Sequence, residues 1–361
     1  MRIVIDARMY SQSGIGRYIR NLISHLQILD RKNEYIILHL KKDFNELNYK
    51  NNFHKVLADF PWYGVREQLM LLKLLKTLKQ DLVHFPHFNV PYFYNGKFVV
   101  TIHDLIHQHF SMQRSTTHGP IIYKIKKIGY RKIFQRAIKR AEKILVPSNF
   151  VKNQLTSESN IPSKKIVVTP EAVDDRLLKV TVTRKFDFPY IFYVGNAHPH
   201  KNLEGLIKTF MKLKKKHNLK LVLAGHDNYF WERLKTKFSD KDIIYKGHIC
   251  EEELVSLYIN ASVFVMPSFE EGFGIPILES MACGCPVVSS NAGSLPEVGG
   301  DACLYFDPYD LGEMGDKIDL VLKSKKLREE LISHGLVRVK GFSWKKLTEQ
   351  TLEVYESCYR T

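Results

Sequence analysis

The sequence contains few cysteines and no long apolar run. Five cysteines occur in 361 residues, and this small odd number argues against a disulfide scaffold and favours a reducing compartment. Cys283-Gly-Cys285 lacks the spacing and the second ligand pair of a zinc site, so we assign it to core packing. No apolar stretch approaches the roughly 18–20 residues that cross a bilayer. An acid at Asp6 interrupts the first apolar run, so we expect no signal peptide.

Acidic residues are scarce in only one half of the chain. The formal net charge is +16, and the first 180 residues contain 30 Lys plus Arg against 14 Asp plus Glu. The rest of the chain is balanced, so the whole excess of positive charge belongs to the N-terminal half. This asymmetry predicts a polyanionic partner for that half, which could be a membrane surface, a phosphorylated lipid or a nucleic acid.

Short β-branched runs alternate with longer helical patterns. Most of the runs are apolar on successive residues, which is typical of strands covered on both faces. Strand–helix–strand repetition predicts parallel sheets with crossover helices. The candidate strands are Arg2–Ala7, Tyr35–Leu40, Leu82–Phe85, Lys97–Ile102, Lys143–Pro147, Tyr190–Gly195, Leu219–Ala224, Asp242–Lys246, Ser262–Met266 and Pro286–Ser289. The candidate helices include Gly16–Leu29, Val65–Lys79, Tyr123–Lys143, Asn202–Lys216, Glu251–Ile259 and Ile275–Ala282.

The pattern predicts an α/β protein of two doubly wound, Rossmann-like domains that face each other across a cleft. We place the domains at residues 1–180 and 186–343, with a connection in Lys179–Pro189. Ligands are expected where the carboxyl ends of the strands meet the cleft. A final helix, Trp344–Tyr359, is predicted to pack back on the first domain.

A glycine pair follows the first predicted strand. Gly14-Ile-Gly16-Arg17 opens a helix, and glycines there let backbone N–H groups approach a phosphate. As a dinucleotide fingerprint the pair is weak, because isoleucine stands at residue 19 and the next strand ends at Leu40 instead of an acid. The alternative is a tight strand–helix turn.

The most informative stretch runs from Pro267 to Glu279. Gly272 and Gly274 expose backbone donors at a helix start, and Glu271 and Glu279 stand eight residues apart. Carboxylates accept hydrogen bonds from hydroxyls, so two acids along one ligand suit a sugar at one end and a ribose at the other. The alternative is one acid that favours the helix dipole and one that is solvated.

Taken with its surroundings, this stretch resembles the signature of the GT-B glycosyltransferases of family GT4, which retain anomeric configuration. The branch it resembles most is the mannosyltransferase type that builds bacterial surface polysaccharides. The supporting motifs occur in the order that the family has: Gly14-Ile-Gly-Arg17-Tyr, His84-Phe-Pro-His, Thr101-Ile-His103-Asp104-Leu, Pro147-Ser148 and Tyr193-Val-Gly-Asn-Ala-His-Pro-His-Lys201-Asn202.

The resemblance implies a role for each matching residue. Lys201 would meet the nucleotide diphosphate as a point charge, Glu279 would bind the ribose diol, and Glu271 would bind the donor sugar. The full implied donor-binding set is Gly14, Gly16, Asn196, Lys201, Glu271, Gly272, Phe273, Gly274, Ile275 and Glu279. The family often has arginine where this chain has Asn196, so His198 or His200 is expected to supply part of that charge.

His103 lies at the carboxyl end of a predicted strand. A neutral imidazole there could accept a hydrogen bond from a sugar hydroxyl or stabilise positive charge near the anomeric carbon, and the alternative is a structural hydrogen bond. The implied catalytic residues are thus His103, Glu271 and Lys201. Asp104 and Arg17 are expected to orient the loop or to bind the acceptor.

The implied reaction moves a hexose to a hydroxyl of a lipid-linked or lipopolysaccharide glycan, with mannose from GDP-mannose as the preferred donor. Other GDP- or UDP-sugars remain open. No cofactor is expected, because such enzymes usually need no metal, although Asp240-Lys-Asp242 is formally a metal-binding triplet. The competing interpretations are a basic nucleic-acid binder, which leaves Glu271 and Glu279 unexplained, and a sugar phosphorylase or nucleotide-sugar epimerase.

The region 123–140 carries much of the excess charge. Its apolar residues form one stripe that suits packing on a sheet, with Lys and Arg around it. The cationic face could lie against anionic lipid. We therefore predict a cytoplasmic protein bound peripherally to the inner face of the cell membrane, where a lipid-linked acceptor would reside, and no nucleic-acid partner.

Overall fold

The computed structural model describes residues 1–110, 120–177, 186–226 and 229–360, with the backbone alone for 120–127. The chain divides into two units. Unit 1 comprises Met1–Leu105, Met112–Glu171 and Trp344–Thr361, and unit 2 comprises Ile106–Ser111 and Ala172–Ser343. Most of the predicted connection Lys179–Pro189 lies outside the described residues. Among the described residues, no helix combines the length and hydropathy that a bilayer crossing requires.

Unit 1 is built on a parallel sheet of seven strands. They are β1 Arg2–Asp6, β2 Glu34–His39, β3 Phe53–Leu57, β4 Leu82–Phe85, β5 Phe98–Thr101, β6 Lys143–Val146 and β7 Ile166–Val168. Their order in the sheet is β3-β2-β1-β4-β5-β6-β7. The helices are α1 Gly14–Leu29, α2 Lys41–Glu46, α3 Val65–Leu78, α5 Pro120–Arg140, α6 Asn149–Ser159 and α14 Trp344–Arg360. The short α4, Ile106–His109, belongs to unit 2.

The sheet of unit 1 reverses its strand order between β1 and β4. Both of these strands, and β5 beside them, are buried along their central residues, because crossover helices cover both faces of a parallel sheet. In such sheets ligands bind outside the carboxyl ends of the strands at the reversal point. A ligand-binding site is therefore expected in the segments that follow Asp6 and Phe85.

The last helix, α14, packs within unit 1, where it contacts α1, β4 and β6. The hydroxyl of Tyr355 lies 2.5 Å from Nδ1 of His84, and the rings of Trp344 and Tyr18 meet edge to face. Burial lowers the pKa of His84 to about 3, with a smaller contribution from the charge of His103. A neutral His84 therefore holds the C-terminal helix against the sheet through a fully buried hydrogen bond.

Unit 2 contains a parallel sheet of six strands. They are β8 Tyr190–Val194, β9 Lys220–Ala224, β10 Ile243–Gly247, β11 Val263–Met266, β12 Val287–Ser290 and β13 Cys303–Phe306. Their order is β10-β9-β8-β11-β12-β13, which reverses between β8 and β11. The remaining helices of this unit are α7 Leu203–Leu213, α8 Tyr229–Lys237, α9 Glu251–Asn260, α10 Ile275–Ala282, α11 Leu295–Gly299, α12 Leu311–Lys323 and α13 Lys325–Arg338.

The doubly wound, two-domain α/β architecture predicted from the sequence is confirmed. Three strands were not predicted, namely β3, β7 and β13. They occupy edges of the two sheets, where one side of the strand has no neighbouring strand among the described residues. β3 is mostly half-buried or exposed and reads Phe-His-Lys-Val-Leu, and β7 is only three residues long. Such strands lack the continuous apolar run that marks a central parallel strand.

Candidate functional site

The reversal point of the unit 2 sheet brings Lys201 and Glu271 together. Lys201 ends a 3-10 turn after β8, and Glu271 follows β11. The Lys201 Nζ lies 2.6 Å from Oε1 and 2.8 Å from Oε2 of Glu271, and both side chains are largely buried. Two residues 70 positions apart thus form one charged pair where parallel sheets bind ligands. Because the pair still reaches the surface, its ammonium group is available to an anion.

Hydrogen bonds from neighbouring loops fix this pair. The backbone N–H of Phe269 donates to the carbonyl of His200 at 2.7 Å, which joins the two loops. The hydroxyl of Ser268 donates to Oε1 of Glu271 at 2.5 Å, and the hydroxyl of Ser294 contacts the carbonyls of Glu271 and Phe273. Sequence reasoning missed both serines. Only the position of Ser268, three residues before Glu271, could have indicated its contact with that carboxylate.

The glycine-rich segment between the acids has a fixed shape. Gly274 adopts φ +102°, and a Cβ at this position would lie 2.6 Å from Leu295 Cδ2. A left-handed backbone in so little space requires glycine. Gly274 is the N-cap of α10, with Ile275 at its first position and Gly272 and Phe273 just before. The amides implied to meet the donor therefore stand at the positive end of a helix.

Glu279 occupies the second turn of α10 and is buried. Its Oε2 accepts a hydrogen bond from the hydroxyl of Tyr258 on α9 at 2.9 Å. The ring of Tyr258 packs edge to face against Phe192 and Phe264, so its hydroxyl is held in place. The sequence did not point to Tyr258, because a tyrosine on an amphipathic helix is an ordinary core residue.

The loop after β8 was expected to carry a second charge beside Lys201. The Oδ1 of Asn196 accepts from the backbone N–H of His198 at 3.2 Å, so this side chain stabilises its own turn. Burial and the charge of Lys201 lower the pKa of His198, and they lower the pKa of His200 to about 2. Both imidazoles are therefore neutral. The expectation that one of them replaces the family's arginine charge is corrected: either ring offers only a neutral donor or acceptor.

In unit 1, His103 follows β5 and has an acceptor at each ring nitrogen. Nδ1 lies 3.0 Å from Oε1 of Glu171, and Nε2 lies 3.0 Å from the carbonyl oxygen of Pro86. Burial alone would lower the pKa of His103, but the hydrogen bond and charge of Glu171, with the Pro86 carbonyl and the charge of Asp104, raise it overall. The geometry favours an imidazolium that donates two hydrogen bonds. A neutral ring that accepts from a hydroxyl, as expected from the sequence, requires one of these bonds to break.

We expect Glu171→Gln to lower the pKa of His103, since burial then acts without the carboxylate that opposes it. A raised folded-state pKa stabilises the protein below the unfolded pKa, and this stabilisation disappears as pH rises through the folded value. The variant should therefore cost about 2 kcal/mol of unfolding free energy at pH 6 and less at pH 9. Urea unfolding at both pH values and histidine NMR titration measure this. Asp319→Asn, which removes the carboxylate beside His217 in unit 2, should leave the His103 titration unchanged.

The first turn of α1 lies close to His103. The ring of Tyr18 meets the imidazole of His103 edge to face at 5.0 Å, and Arg17 directly precedes it. A Cβ on Gly16 would lie 2.4 Å from the carbonyl oxygen of Tyr10, whereas a Cβ on Gly14 would meet no described atom within 4 Å. Gly16 is thus required by packing, and Gly14 borders open space that a phosphate can approach.

A pocket opens at the reversal point of the unit 1 sheet. It is lined by Asp6, Arg8, Met9, Ile15, Ile19, Trp62, Phe85, Pro86, His87 and Asn89. The Arg8 guanidinium bridges Asp6 and buried Glu67, each at 2.6 Å. Sequence reasoning did not predict this pocket, although Phe85, Pro86 and His87 belong to the His84-Phe-Pro-His motif. The indole of Trp62 beside the pocket's hydrogen-bonding groups suits a ligand that has a ring with polar substituents.

The two carboxylates of the Asp240-Lys-Asp242 triplet form ion pairs. Lys214 Nζ lies 2.6 Å from Asp240 Oδ1 and 2.7 Å from Asp242 Oδ2, so the two carboxylates share a lysine. Over the described part of the chain, no group of His, Cys, Asp and Glu residues is arranged to hold a metal ion. The interpretation of Asp240-Lys-Asp242 as a metal site is therefore not supported.

Comparison with known proteins accounts for both units. Residues 12–177 match the family "Glycosyltransferase Family 4", and residues 178–337 match "Glycosyl transferases group 1". O-antigen chain mannosyltransferase B of Escherichia coli is 30% identical over 96% of this chain and 97% of its own length. Among solved structures, sucrose-phosphate synthase of Thermosynechococcus elongatus has a TM-score of 0.81 at 18% identity, covering 100% and 99% of the two chains.

Another solved structure, that of Anabaena Alr3699/HepE in complex with UDP and glucose, has a TM-score of 0.75 at 15% identity and covers 99% of this chain and 100% of its own. At these identities the solved structures establish the fold, which is GT-B, while the curated relative extends over nearly the full length of both sequences. Together with the family matches in both units, these findings show that the chain belongs to the GT4 family of GT-B glycosyltransferases and is a hexosyltransferase.

Proposed function

We propose that the protein is a retaining mannosyltransferase of O-antigen or related surface-polysaccharide synthesis, which uses GDP-mannose and no metal cofactor. The observation that carries the proposal is the Lys201–Glu271 pair at the reversal point of the unit 2 sheet, with buried Glu279 on the helix that follows. The choice of mannose rests on the likeness to O-antigen chain mannosyltransferase B. A UDP-sugar is the second candidate, because the solved neighbour named above contains UDP and glucose.

In the proposed reaction the donor diphosphate lies against Lys201 and the N-terminus of α10. Both present positive charge, which stabilises the phosphate oxygens as negative charge develops on them. Glu271 accepts hydrogen bonds from the sugar hydroxyls, and Glu279 accepts from the ribose diol. The bond between the anomeric carbon and the phosphate oxygen breaks, and the diphosphate leaves with the electron pair.

The acceptor hydroxyl then bonds to the anomeric carbon. In the front-face form of retention, the oxygen attacks from the side that the diphosphate leaves, and its proton passes to a leaving phosphate oxygen. In the double-displacement form, a carboxylate first bonds to the anomeric carbon as the diphosphate leaves, and the acceptor oxygen then displaces that carboxylate and gives its proton to a phosphate oxygen. We assign the acceptor's terminal sugar to the unit 1 pocket, where Trp62 offers an aromatic ring and Asp6 and Asn89 offer polar groups. His103, Asp104 and Arg17 are assigned to the nearby loop and helix start that support it.

The lipid-linked glycan acceptor of the proposal places the enzyme at the inner face of the cell membrane. The N-terminal half, which carries the entire net positive charge, would meet the anionic leaflet there. Nucleic acid is not a proposed partner, because the buried acids Glu271 and Glu279 have no use in phosphate-backbone binding.

A donor panel tests the function. Purified protein is incubated with GDP-mannose, other GDP-sugars and UDP-sugars, with a glycan acceptor and with or without EDTA, and nucleoside diphosphate release is measured. We expect acceptor-dependent release that is strongest with GDP-mannose and insensitive to EDTA, and an α-linked product by NMR from the α-linked donor. Preference for a UDP-sugar would replace the donor assignment. Turnover that stops with EDTA would contradict metal independence, and a β-linked product would contradict retention.

A further inference from the structure

Unit 1 exposes large apolar side chains on one segment of its surface. Three belong to the first two turns of α3, where Val65 is 78%, Leu69 61% and Met70 42% exposed. Phe93, in the loop between β4 and β5, is 67% exposed beside half-exposed Tyr92. Isolated exposed apolar residues are ordinary, but several in one place mark an interaction surface.

Hydrogen bonds connect these residues into one surface. The side-chain oxygen of Gln68 on α3 accepts from the backbone N–H of Tyr92 at 2.6 Å, which holds the loop beside the helix. Arg136 of α5 covers the Tyr92 ring at 4.8 Å and donates to the Tyr92 carbonyl and to Asn95. The loop is therefore bound on one side by α3 and on the other by α5.

The charge of this surface has one sign. On α3, which is described throughout, exposed Arg66, Lys73 and Lys76 follow the spacing of a single helix face, and the helix's one acid, Glu67, is buried. No Asp or Glu occurs in residues 68–80, in residues 82–103 or in the sequence of α5. We name the exposed residues of α3, the Tyr92–Phe93 loop and Lys132, Arg136 and Lys139 of α5 the α3–α5 face. Its residues combine apolar side chains with cations and include no acid.

We propose that the α3–α5 face docks on an anionic lipid bilayer, with Leu69 and Phe93 entering the headgroup region and the Lys and Arg residues at the lipid charges. This deepens the proposed function, on which it rests for the lipid-linked acceptor. An anionic bilayer binds both the apolar and the basic residues of the face. The apolar side chains are buried in it, and each basic residue is attracted to the lipid headgroups. A second copy of the same face would bring like charges together, and a nucleic acid would leave the apolar side chains in water.

The face adjoins the unit 1 pocket. Trp62 lines the pocket, and Val65 begins α3 three residues later, a span of about 10 Å at most. The rings of Tyr63, Phe88 and Tyr130 pack in sequence and join this segment to α5. A glycan whose lipid remains in the bilayer would therefore reach the pocket at the edge of the docking surface.

The test is vesicle sedimentation of the full chain. Vesicles are neutral phosphatidylcholine or contain about one third phosphatidylglycerol, at about 0.1 M and about 1 M salt, where the Debye length falls from roughly 10 to 3 Å. We expect binding to anionic vesicles that weakens with salt. Leu69→Gln/Phe93→Ser should reduce the partition coefficient about tenfold, because two apolar insertions are lost. The matched control is Leu320→Gln/Val337→Gln in unit 2, whose residues are 50% and 67% exposed, and it should bind like the wild type.

Two further readouts make the outcome decisive. The fluorescence that Phe93→Trp adds to that of the three native tryptophans, taken as the difference from the wild type, should be quenched by brominated lipid in anionic vesicles, whereas an unquenched difference or an unaffected double variant overturns the proposal. Sedimentation velocity detects a second copy, and loss of self-association in the double variant also overturns it. With a water-soluble acceptor, the double variant should retain wild-type kcat/KM. Failure of the proposed function would appear as absent donor turnover in the wild type, and failure of this inference would appear in the vesicles alone.

Discussion

Lys201→Ala is expected to lower kcat/KM by about 10²–10³-fold, because the departing diphosphate of the proposed reaction loses the positive charge of Lys201. The largely buried Lys201 Nζ is within 2.8 Å of both oxygens of Glu271, and neither neighbouring imidazole is cationic. The loss should appear in kcat as well as KM, since charge develops on the phosphate in the transition state. Nucleoside diphosphate release from GDP-mannose at several acceptor concentrations measures it.

Folding must be separated from catalysis in this experiment, because removing one member of a buried ion pair is destabilising by about 3–5 kcal/mol. Lys201→Gln keeps an N–H donor for Glu271 while it removes the charge, so it should fold and remain inactive. Lys214→Ala is the matched control, since Lys214 pairs with two carboxylates elsewhere in unit 2. A folded Lys201→Gln variant with activity within about threefold of the wild type would refute the role of Lys201.

Glu279→Gln is expected to lower kcat/KM by about 10²-fold, mainly through KM, because the carboxylate that we propose as acceptor of the ribose diol is replaced by an amide that accepts less well. The loss should fall on donor binding in both ground and transition states, since the ribose is remote from the reacting carbon. Initial rates with varied GDP-mannose measure it.

A donor analogue makes this test specific to the ribose. With a 2′-deoxy donor the wild type should lose affinity, and Glu279→Gln should lose little more, so the two changes are non-additive. Tyr258→Phe removes the hydrogen bond that holds Glu279, and we expect a smaller effect of the same kind. If the variant and the analogue act additively, Glu279 does not contact the ribose.

The central features of the fold follow from the sequence because they depend on continuous apolar runs. β4 and β5 read Leu-Val-His-Phe and Phe-Val-Val-Thr and are buried at every position, so their pattern indicates parallel strands directly. β3 escaped prediction because edge strands tolerate polar residues, whereas β13 reads Cys-Leu-Tyr-Phe and was missed although its residues are apolar. The short helices α2 and α11, which precede these two strands, were not predicted either, because such short helices depend on tertiary packing that local propensity does not encode.

The candidate site was predictable to the extent that it lies in motifs. Lys201 and Glu271 each occur in a recognisable stretch, yet no property of the sequence required them to form a pair 70 residues apart. The upward shift of the His103 pKa was not predictable, since it depends on Glu171, which belongs to no motif and reaches the imidazole only in the folded unit. The neutral state of His200 likewise follows first from burial, which only the folded unit shows, and then from the charge of Lys201.

The last helix of unit 1, α14, follows the whole of unit 2 in the sequence. Unit 2 is nearly contiguous in sequence, whereas unit 1 is assembled from segments on both sides of it. Most of unit 1 is synthesised first, but Trp344 and Tyr355 are added only with α14. Until then the imidazole of His84 lacks the hydroxyl of Tyr355 as its hydrogen-bond partner. In biosynthesis the first-made unit therefore depends on residues that are translated after the whole of unit 2.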